Sequence, residues 1–238
     1  MEITDQSFRH TQQKISSNHS PLFPRNIFCV IAGATGCGKT NLMEYLLMTE
    51  KVLDYADVYI YSSTLHQPTY AYLKEYYGKL EKLINNKHKI GHFFDADAEI
   101  QNPSELDKNK THIMVFDDVM NADQSVIKDY FCRGRHNNVN VFYLCQSLLK
   151  IKKHCIRENA NVFILFHQGV KTLKYFYDDQ ISGDMDFDEF RSFCEKAWKK
   201  KHGFVVINVK EEAFWGKYIS NYTTNYTPIK HLKISKNT

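Results

Sequence analysis

Short apolar runs recur along the chain, and polar or turn-forming residues separate them. Runs of this length, rich in valine, isoleucine and phenylalanine, predict buried strands. The predicted strands cover residues 26–32, 57–61, 90–94, 112–116, 139–145, 161–166 and 203–209. Between them, apolar residues three or four positions apart predict helices, as in the stripe of Tyr70, Leu73, Tyr77, Leu80 and Ile84.

This alternation of strands and helices predicts an α/β fold. The sheet should be mainly parallel and covered by helices on both faces, which makes three layers. In open sheets of this kind, ligands bind at the carboxyl ends of the strands. Residues that directly follow the predicted strands are therefore the first candidates for chemistry.

The segment after the first predicted strand is a phosphate-binding loop. Gly33-Ala34-Thr35-Gly36-Cys37-Gly38-Lys39-Thr40 fits the pattern G-x-x-x-x-G-K-[ST], and a predicted helix continues from Asn41. Glycines let backbone N–H groups point inward around phosphates, and the positive N-terminus of the helix favours the same anions. Lys39 is expected to reach the β- and γ-phosphates, and the Thr40 hydroxyl to bind Mg²⁺. The sequence thus predicts a nucleoside triphosphate, held by residues 33–41.

Two acids, Asp117 and Asp118, follow the predicted strand at 112–116. Because an isolated buried carboxylate is costly, adjacent acids at a strand tip normally face a cation or solvent. Downstream of a phosphate-binding loop, the pair predicts that Asp117 holds the Mg²⁺ shell and that Asp118 polarises the attacking water. Asp118 is one methylene shorter than the more usual glutamate, so the water must lie closer or the strand end must shift. A solvated turn is the alternative interpretation.

Polar residues also flank the predicted strand at 139–145. Gln146 follows it and can hydrogen-bond phosphate or water if this strand lies between the first strand and the Asp117 strand; otherwise it is a solvated strand end. Arg133 and Arg135 lie in the turn before it. A guanidinium suits phosphate oxygens, so either arginine is a candidate to act on the nucleotide of a neighbouring subunit, the other being structural or DNA-facing. Exposed turn arginines without a role are the alternative.

The composition is ordinary for a globular protein, with 43% hydrophobic and 24% charged residues. A net charge of +4 permits an anionic partner without requiring one. The six cysteines form no C-x-x-C pair, which favours a reducing compartment over a disulfide framework or a zinc site. The sequence shows no signal peptide and no apolar run of the ~20 residues that span a bilayer, so we expect a soluble intracellular protein without a membrane partner.

The ends of the chain differ from its middle. Polar and turn-forming residues predict a flexible arm over 1–25. A nucleotide-binding domain is predicted over 26–210, followed by a tail over 211–238. Aromatic residues in the tail favour docking on another surface.

Together these motifs resemble the genome-packaging ATPases of poxvirus-like large DNA viruses, virophages and Maverick/Polinton elements, within the FtsK-HerA superfamily. The resemblance rests on the phosphate-binding loop, Asp117-Asp118, the turn at 133–136 and Gln146-Ser147, and extends into 152–161 and 198–207. It implies a three-layer P-loop fold of the additional-strand, RecA/FtsK-like type. It also implies a motor that hydrolyses ATP with Mg²⁺ and moves double-stranded DNA into a capsid.

The resemblance implies partners and a location as well. It predicts a homo-oligomeric ring of five or six subunits, contact with capsid proteins, and work in the host cytoplasm, a viral factory or the virion. Lys150, Lys152, Lys153 and Arg157 follow Gln146 closely, and are candidates to hold the DNA backbone without reading bases. A solvated basic face is the alternative for these residues.

Other nucleotide-binding classes lack their own motifs in this sequence. Asn86-Lys87-His88-Lys89 lacks the final aspartate of a guanine-binding Asn-Lys-x-Asp motif, and the Leu-Ser-Gly-Gly-Gln signature of transporter ATPases is missing. Two alternatives remain open: a nucleotide-gated assembly or adaptor protein with little turnover, and another P-loop kinase or NTPase.

Overall fold

The computed structural model describes residues 19–119, 122, 124–151, 153–213 and 216–229, and only the backbone at 153 and 154. Each predicted strand is present within two residues of its expected ends. The strands are β1 Phe28–Ala32, β2 Asp57–Ser62, β3 Gly91–Asp95, β4 His112–Asp117, β5 Val139–Cys145, β6 Val162–Phe166, β7 Phe204–Asn208, β8 Tyr218–Ser220 and β9 Thr224–Tyr226. The α-helices are α1 Lys39–Met48, α2 Pro68–Leu83, α3 Gln124–Arg133, α4 Val170–Gln180 and α5 Phe187–Trp198.

Within the described residues, these strands form one sheet in the order β3-β2-β4-β5-β1-β6-β7-β8-β9. Neighbours from β3 to β6 pair in parallel, and β7, β8 and β9 add to the β6 edge in antiparallel fashion. The mainly parallel sheet is thus confirmed. β5 lies between β1 and β4, so the ends of the three strands that precede the predicted site residues are neighbours.

The central strands are buried on both faces, and the helices supply both covers. Along β1, Phe28 and Val30 join one apolar cluster while Cys29 and Ile31 join the other, as the period of two requires. Helices α3, α4 and α5 pack in the first cluster, and α1 and α2 pack in the second. This arrangement confirms the predicted three layers.

Helix α5 ends beside the phosphate-binding loop, and its termini are well defined. The Asp186 carboxylate accepts from the Glu189 N–H at 2.8 Å, which caps the first turn. Beyond Trp198, the turn closes tightly at Gly203, where a Cβ would lie 2.1 Å from the Ala197 carbonyl oxygen. The turn between α5 and β7 therefore has no room for a side chain at residue 203.

Both predicted boundaries of the nucleotide-binding domain shift outward in the structure. Phe23 is buried, and its ring lies against Phe142 of β5, so packing begins inside the predicted arm. Strands β8 and β9 extend the sheet well past residue 210, because Ile219 and Tyr218 pair with β7. Residues 1–18 and 230–238 lie outside the described part of the chain. Within that part, the longest apolar helical stretches fall short of a membrane span.

Candidate nucleotide-binding site

The phosphate-binding loop has the backbone that its glycines predict. Gly36 and Gly38 have φ values of 76° and 108°, in the left-handed region that favours glycine. Gly33 is needed for space, since a Cβ there would lie 2.6 Å from the Phe166 Cβ and the Cys37 Sγ. Helix α1 begins at Lys39 directly after the loop, so its N-terminus points into the loop's cavity.

The Lys39 side chain folds back across this loop. Its ammonium donates to the carbonyl oxygens of Gly33 at 2.7 Å and of Ala34 at 3.1 Å. These contacts hold the positive charge within the loop. Phosphate oxygens entering the loop offer stronger acceptors to the same ammonium, because they are anionic whereas the carbonyl oxygens are neutral.

Asp117 lies at the buried end of β4 and meets Thr40. The Thr40 hydroxyl donates to Asp117 Oδ2 at 3.0 Å, and the Tyr70 hydroxyl donates to the same oxygen at 2.5 Å. Burial raises the pKa of Asp117, while these two hydrogen bonds act in the opposite direction. The result is a carboxylate and a hydroxyl side by side in a low-dielectric corner, an oxygen-donor set of the kind that hard divalent cations prefer.

Asp118 and Gln146 face each other from neighbouring strand tips. The Gln146 Nε2 lies 3.4 Å from both carboxylate oxygens of Asp118. Asp118 has a φ of 55°, so the chain turns sharply there and its side chain departs from the direction of Asp117. One acid of the pair thus meets Thr40 while the other meets Gln146.

These elements enclose a cavity of about 320 Å³ at the carboxyl edge of the sheet. The sequence-predicted residues that line it are Thr35, Gly36, Gly38, Lys39, Thr40, Asn41, Asp117, Asp118 and Gln146. The structure also brings Thr64, Gln67 and His202 to its wall. The sequence offered no motif for these three, since they come from the β2–α2 connection and the α5–β7 turn.

His202 contacts the phosphate-binding loop. Its Nδ1 is 2.9 Å from the Cys37 carbonyl oxygen, a distance at which a protonated Nδ1 donates. The imidazole also approaches Gly38, where a Cβ would lie 3.4 Å from its Nδ1. The α5–β7 turn therefore contacts the phosphate-binding loop through His202.

The two candidate arginines lie at the opposite end of the strands, where β5 begins. Arg133 ends α3, Arg135 lies in the short 3₁₀ turn before β5, and both are exposed. The Arg135 guanidinium lies 5.8 Å from the centroid of the Phe28 ring, at the start of β1. Because β5 has seven residues, about 20 Å separates this turn from Gln146. Neither arginine can act on the nucleotide of its own subunit.

The candidate DNA-binding residues separate into different environments. Lys150 is exposed and ends a 3₁₀ turn that follows Gln146 closely. Lys152 lies outside the described residues, and only the backbone of Lys153 is described. Arg157 is 4% exposed; its guanidinium donates to the Tyr175 hydroxyl at 2.6 Å and lies 3.6 Å from the Asp179 carboxylate. The prediction that Arg157 faces DNA is wrong for this structure, since the side chain packs against α4.

Comparisons with known proteins were made on sequence and on structure. Residues 17–171 match the family model described as Poxvirus A32 protein. A comparison with curated protein sequences gives no match.

Solved packaging proteins from two viruses share a similar fold with this chain. The genome packaging NTPase B204 from Sulfolobus turreted icosahedral virus 2 matches in its AMPPCP complex at 12% identity and a TM-score of 0.52, over 78% of this chain and 94% of that one. Its ATP-gammaS complex matches at 13% identity and a TM-score of 0.53, over 78% and 93%. The DNA-packaging ATPase B204 from Sulfolobus turreted icosahedral virus matches at 16% identity and a TM-score of 0.51, over 78% and 93%. At these identities the likeness concerns the fold, that of a P-loop NTPase.

Proposed function

Because this chain belongs to the poxvirus A32 protein family, we infer that it is a viral genome-packaging ATPase of the FtsK-HerA type, a motor that uses ATP to move double-stranded DNA into a capsid. One observation supports this most directly: the nucleotide-binding and hydrolytic residues meet at one edge of the sheet. Lys39 and Thr40 begin α1, Asp117 ends β4, and Asp118 and Gln146 directly follow β4 and β5, all around one cavity. The fold it shares with B204, solved with AMPPCP and with ATP-gammaS, supports a nucleotide in this cavity.

Nucleotide binding follows from the loop's backbone. The N–H groups of the phosphate-binding loop and the N-terminus of α1 point into the cavity, where they favour a polyphosphate. The Lys39 ammonium exchanges the carbonyl oxygens of Gly33 and Ala34 for phosphate oxygens, a movement that needs only side-chain rotation. Asn41, in the first turn of α1, lines the cavity beside them.

Thr40 and Asp117 are the residues that would hold Mg²⁺. Their oxygens are 3.0 Å apart, and burial, which raises the pKa of Asp117, disfavours the ionised carboxylate, so a bound cation would stabilise it. When bound, the ion supplies neutralisation of the β- and γ-phosphate charge. The protein's own part is to fix the two oxygens in place.

Hydrolysis requires a general base near the γ-phosphate. In this proposal, the base is the carboxylate of Asp118. A water between Asp118 and the γ-phosphate gives its proton to the carboxylate as its oxygen bonds to phosphorus. The bond from phosphorus to the β–γ bridging oxygen breaks, and ADP and inorganic phosphate leave. The Gln146 amide, 3.4 Å from the carboxylate, orients Asp118 and the water for this step.

The positions of the arginines point to a shared site. Arg133 or Arg135, at the amino edge of one subunit, would reach the nucleotide at the carboxyl edge of the next, as in a head-to-tail interface. Such an interface forms a ring when its rotation closes, and a ring of five or six subunits is our proposal. The ring would pass DNA along a basic segment that includes Lys150, Lys152 and Lys153, and deliver it to a capsid.

A motor that fills capsids works where capsids assemble. We therefore place the protein in the host cytoplasm or viral factory, with association to the virion during loading. The partners in this proposal are double-stranded DNA, further copies of the same chain and capsid protein.

ATP turnover by the purified full chain, measured with Mg²⁺ and with or without duplex DNA, tests the proposal. We expect turnover that duplex DNA stimulates, and its loss together with nucleotide binding in Lys39→Ala. Lys79→Ala is the control, because Lys79 is an exposed α2 lysine paired with Glu75. Tight nucleotide binding without turnover in either condition would instead support an adaptor, and phosphoryl transfer to an acceptor other than water would support a kinase.

A further inference from the structure

The Tyr70 hydroxyl touches the site without lining its cavity. Tyr70 is the third residue of α2 and is 2% exposed, so its ring belongs to the core between α2 and the sheet. Its hydroxyl nevertheless reaches Asp117 Oδ2 at 2.5 Å. A phenylalanine would fill the same apolar space, so packing accounts for the ring and leaves the hydroxyl to be explained.

The hydroxyl's partner is the carboxylate assigned to the cation shell. Asp117 is 4% exposed, and its Oδ2 accepts from both Tyr70 and Thr40. The two donors come from different helices, α2 and α1, on the same face of the sheet. Thr40 must turn a lone pair toward a cation to bind it, whereas Tyr70 does not bind the cation. Tyr70 can therefore hold the carboxylate in one orientation both before and after a cation arrives.

The β2–α2 connection links this contact to the rest of the cavity. Thr64 and Gln67 line the cavity, and the Ser62 hydroxyl at the end of β2 lies 3.1 Å from the Thr64 hydroxyl. Three residues after Gln67, Tyr70 anchors the start of α2 on Asp117. The wall of the cavity and the orientation of the carboxylate are thus fixed by one short segment.

We propose that Tyr70 is a positioning residue for the cation shell: its hydroxyl holds the Asp117 carboxylate in the orientation that binds Mg²⁺ with the nucleotide. The proposal rests on the proposed function for the identity of the cation. Partners of ligating carboxylates commonly contribute about 10–100-fold to metal affinity. The effect of losing the hydroxyl should therefore appear in how nucleotide binding depends on the Mg²⁺ concentration, rather than in nucleotide binding without Mg²⁺.

Tyr70→Phe tests this, and Tyr77→Phe is a matched control. Tyr77 lies two turns further along α2, is 1% exposed, and its hydroxyl lies 2.8 Å from that of Tyr55, away from the site. Each change removes one buried hydroxyl from the same helix face. The probe is ATPγS binding to the full chain, titrated with Mg²⁺ and repeated in EDTA, alongside ATP turnover.

We expect Tyr70→Phe to raise the Mg²⁺ concentration for half-maximal ATPγS binding about tenfold or more, with binding in EDTA unchanged. Tyr77→Phe should follow the wild type. In an Asp117→Asn background, Tyr70→Phe should add nothing, since the two residues act as a unit. A wild-type Mg²⁺ dependence in Tyr70→Phe, or an equal shift in Tyr77→Phe, would overturn the proposal. If the wild type never turns over ATP, the proposed function fails, while the binding titration still decides the role of Tyr70.

Discussion

Gln146 Nε2 lies 3.4 Å from both carboxylate oxygens of Asp118, across the tips of β5 and β4. The two residues are separated by 27 others in the chain and meet because β4 and β5 are paired neighbours, with Asp117 opposite Leu144. An amide donor that faces a carboxylate orients it without changing its charge. In the proposed mechanism, this pair acts on the hydrolysis step.

Asp118→Asn should keep nucleotide binding and lose turnover. General bases typically contribute 10²–10⁴-fold, so we expect a decrease of about that size in kcat with an unchanged Kd for ATPγS. Asp95→Asn is the control, because Asp95 is an exposed acid that ends β3 at the same sheet edge. Turnover retained by Asp118→Asn would remove its assigned role.

Gln146→Ala should have a smaller effect on the same step. Loss of one hydrogen bond to a charged group corresponds to about tenfold in rate. We expect kcat to decrease by about that factor, while the Kd of ATPγS stays constant. A change confined to the Kd would place Gln146 in nucleotide binding instead of in orienting Asp118.

Mixed rings should reveal which arginine acts between subunits. Arg133→Ala and Arg135→Ala subunits keep an intact site of their own, and Asp118→Asn subunits keep both arginines. If one arginine serves the next subunit, its variant alone should lose turnover, and mixing it with Asp118→Asn should restore part of that turnover.

Arg191→Ala, at an exposed α5 position paired with Glu195, is the control for these mixtures and should need no rescue. The measurement is ATP turnover across mixing ratios, compared with the weighted mean of the two pure preparations. Turnover equal to that mean for both arginine variants would count against an arginine acting across the interface.

Alanine substitution should lower stability at Arg157 and weaken the salt dependence of DNA binding at Lys150. Arg157→Ala leaves Asp179 in a largely buried position without this partner, so we expect a loss of about 3 kcal/mol in the free energy of unfolding. Lys150→Ala should leave stability within about 0.5 kcal/mol and lower the salt slope of DNA binding by about 1. Denaturant unfolding and salt-dependent DNA binding measure the two effects. If Arg157→Ala unfolds like the wild type and lowers the salt slope of DNA binding, Arg157 would instead be assigned to the DNA-binding surface.

Replacing each of two glycines with alanine should change the free energy of unfolding in opposite directions. At Gly203 a Cβ would lie 2.1 Å from the Ala197 carbonyl oxygen, so the turn that holds His202 against Cys37 must shift. We expect Gly203→Ala to cost about 1–3 kcal/mol and to weaken ATPγS binding. At Gly78, inside α2, a Cβ meets open space, and alanine should stabilise by up to about 1 kcal/mol. Equal unfolding midpoints for both variants would contradict this assignment.

The sequence alone determined the elements whose information is local. A strand buried on both faces is a continuous apolar run, so β1, β4 and β5 were predicted almost to the residue. The phosphate-binding loop and Asp117-Asp118 depend on neighbouring residues in fixed spacing, and residues of both line one cavity. These features need no knowledge of which strands are neighbours.

Tertiary structure decided every contact between segments that are distant in the chain. The helical spacing of apolar residues indicates that Tyr70 is buried. Its hydroxyl contacts Asp117 only because α2 packs over the sheet close to the end of β4. His202 reaches Cys37 because α5 and β7 return to the phosphate-binding loop, and Arg157 is withdrawn from solvent because α4 packs over it. Burial is encoded by local hydrophobicity, whereas the identity of a buried group's partner depends on how the whole sheet is ordered.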